Sequence, residues 1–157
     1  MRHLLAAVAA FALLCAACHP EVTEDAEFHS IGAHGWAYGD TLEFEPEFSD
    51  SIVSARLAVA VRHSSAYIFE NLWLEVSVPP VAGDTVGITD TVNVRLADSY
   101  GRWLGRGSGV TYVRVDTLPG RYVVRRGAPV RVRHIMRVDT VEYLEQIGLV
   151  FINETAK

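Results

Sequence analysis

Period-two alternation leaves this chain few folds to choose from. From Ser54 to His63 it sets Ala55, Leu57, Val59 and Val61 on one side and Arg56, Ala58, Ala60 and Arg62 on the other. That is the mark of a half-buried strand. Tyr67 to Val78 repeats it, with Leu72, Leu74, Val76 and Val78 opposite Tyr67, Phe69, Asn71 and Trp73, until Pro79-Pro80 stops the ladder. Further strands are expected over 41–44, 91–97, 110–116, 121–125, 130–138 and 148–152, with a weaker one over 27–31. Turn residues separate them: Val81-Ala82-Gly83-Asp84, the four glycines between Gly101 and Gly109, and Pro119-Gly120.

One segment reads differently. Asp139 with Glu142 resembles a capping box, Val141, Leu144 and Ile147 share a helical face, and Gly148 stands where a helix ends. The expectation is an all-β, single-domain antiparallel β-sandwich, jelly-roll-like, of about eight or nine strands with one short helix near the C-terminus. Half of the 157 residues are apolar and a fifth charged, enough for one core and outside the regime of disordered chains. The expected division is 1–17 signal peptide, 18–26 tether, 27–153 sandwich and 154–157 tail.

The start of the chain reads as an address. Met1-Arg2-His3 precedes an apolar run from Leu4 to Ala17, too short to span a bilayer as a helix and of the length of a signal-peptide core. Leu14-Cys15-Ala16-Ala17-Cys18 looks like a bacterial lipobox, which implies a mature chain beginning at an acylated Cys18 and held on a membrane by its lipid. The alternative is an ordinary secretory signal with Cys18 a free thiol. His19-Pro20-Glu21 lacks the aspartate after the cysteine that retains many such proteins at the inner membrane, so the outer membrane is favoured, with periplasmic and surface sides both open. Residues 21–27 are acidic and suit a flexible tether. Both cysteines lie in this address, so the body holds no disulfide or thiolate metal cage.

Charge is uneven. Residues 19–90 carry −11, and residues 91–140 carry +7 from ten arginines. Arg131, Arg133 and Arg137 share one parity of a single expected strand and form a candidate anion patch for an acidic glycan or an anionic lipid headgroup. The competing reading pairs acidic and basic strands across a solvated face. A net charge of −5, an exported address and the lack of aromatics among the arginines argue against nucleic acid.

Catalytic signatures are not specified. The six histidines fall into no metal-binding spacing. Glu43, Glu45 and Glu47 read as a solvent-facing row, and Gly105 to Gly109 leads into a strand where a phosphate loop would open a helix. No cofactor and no enzymatic activity are expected. Tyr67, Phe69 and Trp73 form a candidate aromatic face, either a sugar-stacking platform or a strand buried on both sides. Arg102, Trp103 and Arg106, in the glycine-rich loop, are residue types that anchor protein interfaces and form a candidate partner contact; alternatively Trp103 folds back to plug the end of the sandwich.

Taken in order, four segments resemble the GldH family of gliding-motility lipoproteins of the Bacteroidota. They are Trp36 to Phe44; Arg62-His63 followed by Tyr67 to Leu74 with its Asn-Leu-Trp core; Asp98 to Gly107 with its Gly-x-Trp-x-Gly; and His134 to Arg137 leading to Ile147-Gly148-Leu149. The resemblance implies a non-enzymatic envelope lipoprotein of the gliding machinery, indirectly linked to type IX secretion, whose partners are other envelope proteins. Only Cys18, as the lipid attachment point, carries over as a functional residue.

Overall fold

The computed structural model describes residues 22–81, 83 and 85–154. Cys18, the signal segment and most of the expected tail lie outside them. Among the described residues there is no helix, and every named strand pairing is antiparallel.

The larger sheet is organised by β4 (Ile52–Ser64). One flank carries β12 (Leu144–Glu154), with β1 (Val22–Ser30) beyond it. On the other flank β8 (Thr111–Thr117) and β9 (Tyr122–Arg125) follow one another along β4, and β7 (Arg106–Ser108) pairs with β8. Pro119-Gly120 therefore interrupts one line of pairing instead of reversing the chain, and the Leu118 amide still donates to the Leu57 carbonyl. The smaller sheet runs β3 (Leu42–Phe44), β10 (Val130–His134), β5 (Asn71–Val78), β6 (Ile88–Arg95). A third ladder joins β2 (Trp36–Ala37) to β11 (Thr140–Val141).

Alternation builds the core. Leu57, Val59 and Val61 of β4 and Ile147, Leu149 and Phe151 of β12 share it with Leu72, Leu74 and Val76 of β5, Val94 of β6, and Val130 and Val132 of β10. Each is at most 1% exposed, and burying such a side chain is worth roughly 1.5–3 kcal/mol. A polar link adds to the inter-sheet fit: the Tyr122 hydroxyl donates to Asp90 Oδ2 of β6 at 2.6 Å.

Three expectations need correction. The helix over 139–148 is absent: this stretch holds β11, a turn, and the start of β12. Between Leu144 and Gln146 the register with β4 shifts by one residue, so Leu144 and Ile147 both face inward and a bulged strand imitates the three-residue step of a helix. Tyr143, just before the bulge, adopts φ 62°, which no helix permits. Gly148 ends no helix either; it lies beneath the Phe28 ring, which a Cβ at that position would strike. Residues 22–26, read as tether, already pair with β12 from Val22↔Glu154 onward. The strand count also exceeds eight or nine, because pairing recruits the short β2, β7 and β11, which are too brief to show a period.

Candidate functional site

The glycine-rich segment is an ordered hairpin. Leu104 donates to the Leu96 carbonyl, and Ala97 and Trp103 face each other in an isolated bridge. Asp98 fixes the tip: its Oδ1 accepts from the Tyr100 and Arg102 amides, each at 2.9 Å, and its Oδ2 accepts from Arg102 Nε at 2.8 Å. These bonds, the Arg102 amide foremost, hold the Asp98 carboxyl below its ordinary range. Gly101 takes φ 77°, which the turn requires. The result is a stiff, exposed tip carrying Tyr100, 84% exposed, with the Arg102 guanidinium 5.5 Å from its ring.

Trp103 turns the other way. Its ring packs on the core and lies 4.5 Å from the His63 ring and 5.8 Å from that of Tyr112. His63, fully buried near the end of β4, also meets Tyr67 at 5.5 Å. Its Nδ1 contacts the Ser64 carbonyl at 3.0 Å, so Nδ1 carries the proton and Nε2 is left without a partner. Burial lowers the pKa of this imidazole. Arg106 stands apart, on β7 opposite Val113. Of the expected trio, Arg102 is at the tip, Trp103 supports it from inside, and Arg106 belongs to the outer face of the larger sheet. The cluster of His63, Tyr67, Trp103 and Tyr112 had no local signal, because its members come from β4, a turn, the hairpin and β8.

The aromatic row does not share one face. A turn at 65–66 breaks the alternation before β5 begins at Asn71. Tyr67 is buried, its hydroxyl donating to the Asn71 carbonyl at 3.0 Å. Phe69 is half-buried against the core, while Trp73, 41% exposed, stands on the outer face of the smaller sheet opposite Asn93. Phe69, Trp73, Ile135, Met136, Arg137 and Val138 line a shallow groove of about 520 Å³.

The three arginines do not form one patch. Arg131 bonds Glu43 at 2.8 Å, and Arg133 grips Glu75 with two bonds of 2.7 and 3.1 Å. Arg133 holds the Glu75 carboxyl below its ordinary range. Arg137 lies beyond the end of β10, off the strand parity it was expected to share. Cross-strand pairing thus takes up Arg131 and Arg133.

These features belong to the segments that resemble one family, and comparison of the whole sequence decides the matter: the family described as GldH lipoprotein matches residues 24–151. The chain belongs to that family. The GldH match takes in every described strand core, from β1 through Phe151 of β12, and both the hairpin and the His63 cluster fall inside it. A search of curated proteins finds no match to this GldH-family chain. No helix among the described residues is long and apolar enough to cross a membrane.

Proposed function

We propose that this chain is a lipid-anchored, non-enzymatic component of the gliding-motility machinery of the cell envelope, linked to type IX secretion. Its body is a β-sandwich of jelly-roll-like character, acylated through Cys18 on the outer membrane, and it works by contact with other envelope proteins and not with nucleic acid. The observation that carries this reading is the match to the GldH lipoprotein family along nearly the whole described body. The hairpin from Asp98 to Leu104 is the candidate contact: its tip is held by five bonds that involve Asp98, so little conformational freedom remains to be lost on binding. Affinity capture of the lipidated protein from membranes tests the partner class. Tyr100→Ala and Arg102→Glu test the contact, since both side chains are exposed. Lost gliding and lost co-purification at unchanged abundance support it; unimpaired gliding and capture by both variants overturn it.

A second reading has one observation in its favour. Trp73 exposes its ring beside Asn93, whose side-chain oxygen accepts from Asn71 at 2.7 Å, and the groove with Phe69 lies alongside. An envelope carbohydrate stacked on Trp73 fits that arrangement. Trp73→Ala with unchanged retention on peptidoglycan or surface polysaccharide removes it.

A further inference from the structure

The larger sheet has a second face, turned away from the core. Register places Phe28, Gly148, Ala60 and Val115 in one row across it, and Ala26, Val150, Ala58 and Thr117 in the next. Phe28 and Val115 are each about half exposed, at 51% and 52%, and Ile52 and Val123 extend the apolar surface toward the start of β4. At its centre Ala58 and Ala60 are buried and the Phe28 ring lies against Gly148, so the exposed apolar area is that of Phe28, Val115, Ile52 and Val123. Arginines stand at its margins: Arg62 and Arg106 flank Val113, and Arg125 lies opposite Ile52. The carboxylates that approach this face among the described side chains are Glu24, opposite Ile152, and Glu145, which bonds Arg62 at 3.0 Å. A broad apolar surface with a basic margin is an interaction surface and not scatter.

We propose that this face lies on the phospholipid surface of the membrane that holds the acyl anchor, with Phe28, Val115, Val123 and Ile52 at the headgroup level and Arg106 and Arg125 on lipid phosphates. The proposal rests on acylation of Cys18. Three residues separate Cys18 from Val22, the first residue of β1, so four Cα-to-Cα steps give a reach of at most about 14 Å. That is shorter than the roughly 30 Å spanned by β1 itself, so the anchor holds the start of β1 close to the bilayer. A planar fork matches phosphate better than an ammonium does, and a margin of basic residues adds electrostatic attraction to anionic lipid. The polar outer face of the smaller sheet, with Trp73 and the Arg133–Glu75 pair, then faces water.

The test uses the full lipidated protein in vesicles of phosphatidylcholine and phosphatidylglycerol. Once Cys18 is acylated the mature chain has no free thiol, so Val115→Cys and Thr91→Cys each give one site for an environment-sensitive fluorophore, on the outer faces of the larger and smaller sheets. The expected result is quenching by brominated acyl chains at least about twofold stronger at position 115 than at 91, reduced when Arg106 and Arg125 are changed to Glu. A label at 115 that stays in water overturns the proposal, as does one shielded but unquenched by lipid, which marks a protein cover such as a second copy. Mass spectrometry of the amino-terminal peptide separates the two layers: an acylated Cys18 with no quenching at 115 sinks the docking face alone, whereas an unmodified Cys18 sinks the anchor and the face with it.

Discussion

The rings of His63 and Trp103 meet with centroids 4.5 Å apart and planes inclined at 59°, which joins the end of β4 to the hairpin that carries the candidate contact. The hairpin is therefore supported by a titratable group with an unpartnered Nε2. Burial lowers the His63 pKa, and burial likewise lowers that of His134, wedged edge-on between Trp36 at 5.4 Å and Tyr38 at 5.6 Å. A depressed histidine pKa means that the unfolded chain takes up the proton first. Stability is then complete above the ordinary value of 6.5 and declines as pH falls below it. Each imidazole contributes up to about 1.4 kcal/mol per pH unit until its folded-state pKa is reached. Denaturant melts from pH 7.5 to 5 check this: His63→Gln flattens part of the slope, and a slope unchanged in both His63→Gln and His134→Gln refutes it.

On the alkaline side burial raises the pKa of two tyrosines, Tyr67 and Tyr122, and Tyr122 is the one that bonds across the sheets. Its hydroxyl donates to Asp90 Oδ2 and also contacts the Pro119 carbonyl at 3.0 Å. Burial, then the Asp90 carboxylate, pushes its pKa well up. The folded state keeps the proton that the unfolded state releases, so stability is complete below pH 10 and is lost as pH rises beyond it. Tyr122→Phe removes a bond between the sheets and should cost about 1–2 kcal/mol at neutral pH. Urea melts measure it; a change within error would mean that Asp90 is equally well served by water.

Gly148 and Phe28 form a testable pair. A methyl group at 148 collides with the Phe28 ring, so Gly148→Ala should destabilise by about 1–2 kcal/mol. Because the ring is half exposed it can be deleted. In the Phe28→Ala background the same change should cost much less, which a double-mutant cycle reads directly. Equal costs in both backgrounds would place the strain elsewhere.

Tyr143 is the non-glycine residue with positive φ among the described residues. A left-handed conformation costs such a residue about 1–2 kcal/mol, and the half-exposed ring offers little packing in return. Tyr143→Gly should raise stability by about 0.5 kcal/mol after allowance for the freer unfolded chain, seen as a higher melting temperature. A lower one would assign the ring a structural duty in the cleft it lines with Arg62 and Gln146.

Where inward side chains recur at a steady step of two, as in β4 and β5, the sequence revealed both the strand and those side chains, although the middle of β4 is buried on its other face as well. It misled where geometry breaks that step: the bulge after Leu144 turned a strand into an apparent helix, and the turn after Ser64 detached Tyr67 from the parity of Trp73. β1 was partly hidden because Glu24, Asp25 and Glu27 look like tether, and its strand character comes from pairing with β12. Asp25 and Glu27 are in fact occupied, accepting the Glu47 amide at 2.6 Å and the Glu45 amide at 2.7 Å. The His63 cluster joins His63 to Trp103 and Tyr112, forty and more positions away, a relation no local pattern encodes. Arg131 and Arg133 were visible as a row, but not their answering carboxylates on β3 and β5.

The pairing of Val22 with Glu154 has a temporal consequence. The first strand to emerge from any exporter must wait for the last, since β12 fills the slot between β1 and β4. Until those eleven residues arrive, β1 lacks its ladder and β4 lacks one flank, so the larger sheet closes late, after nearly the whole chain has crossed.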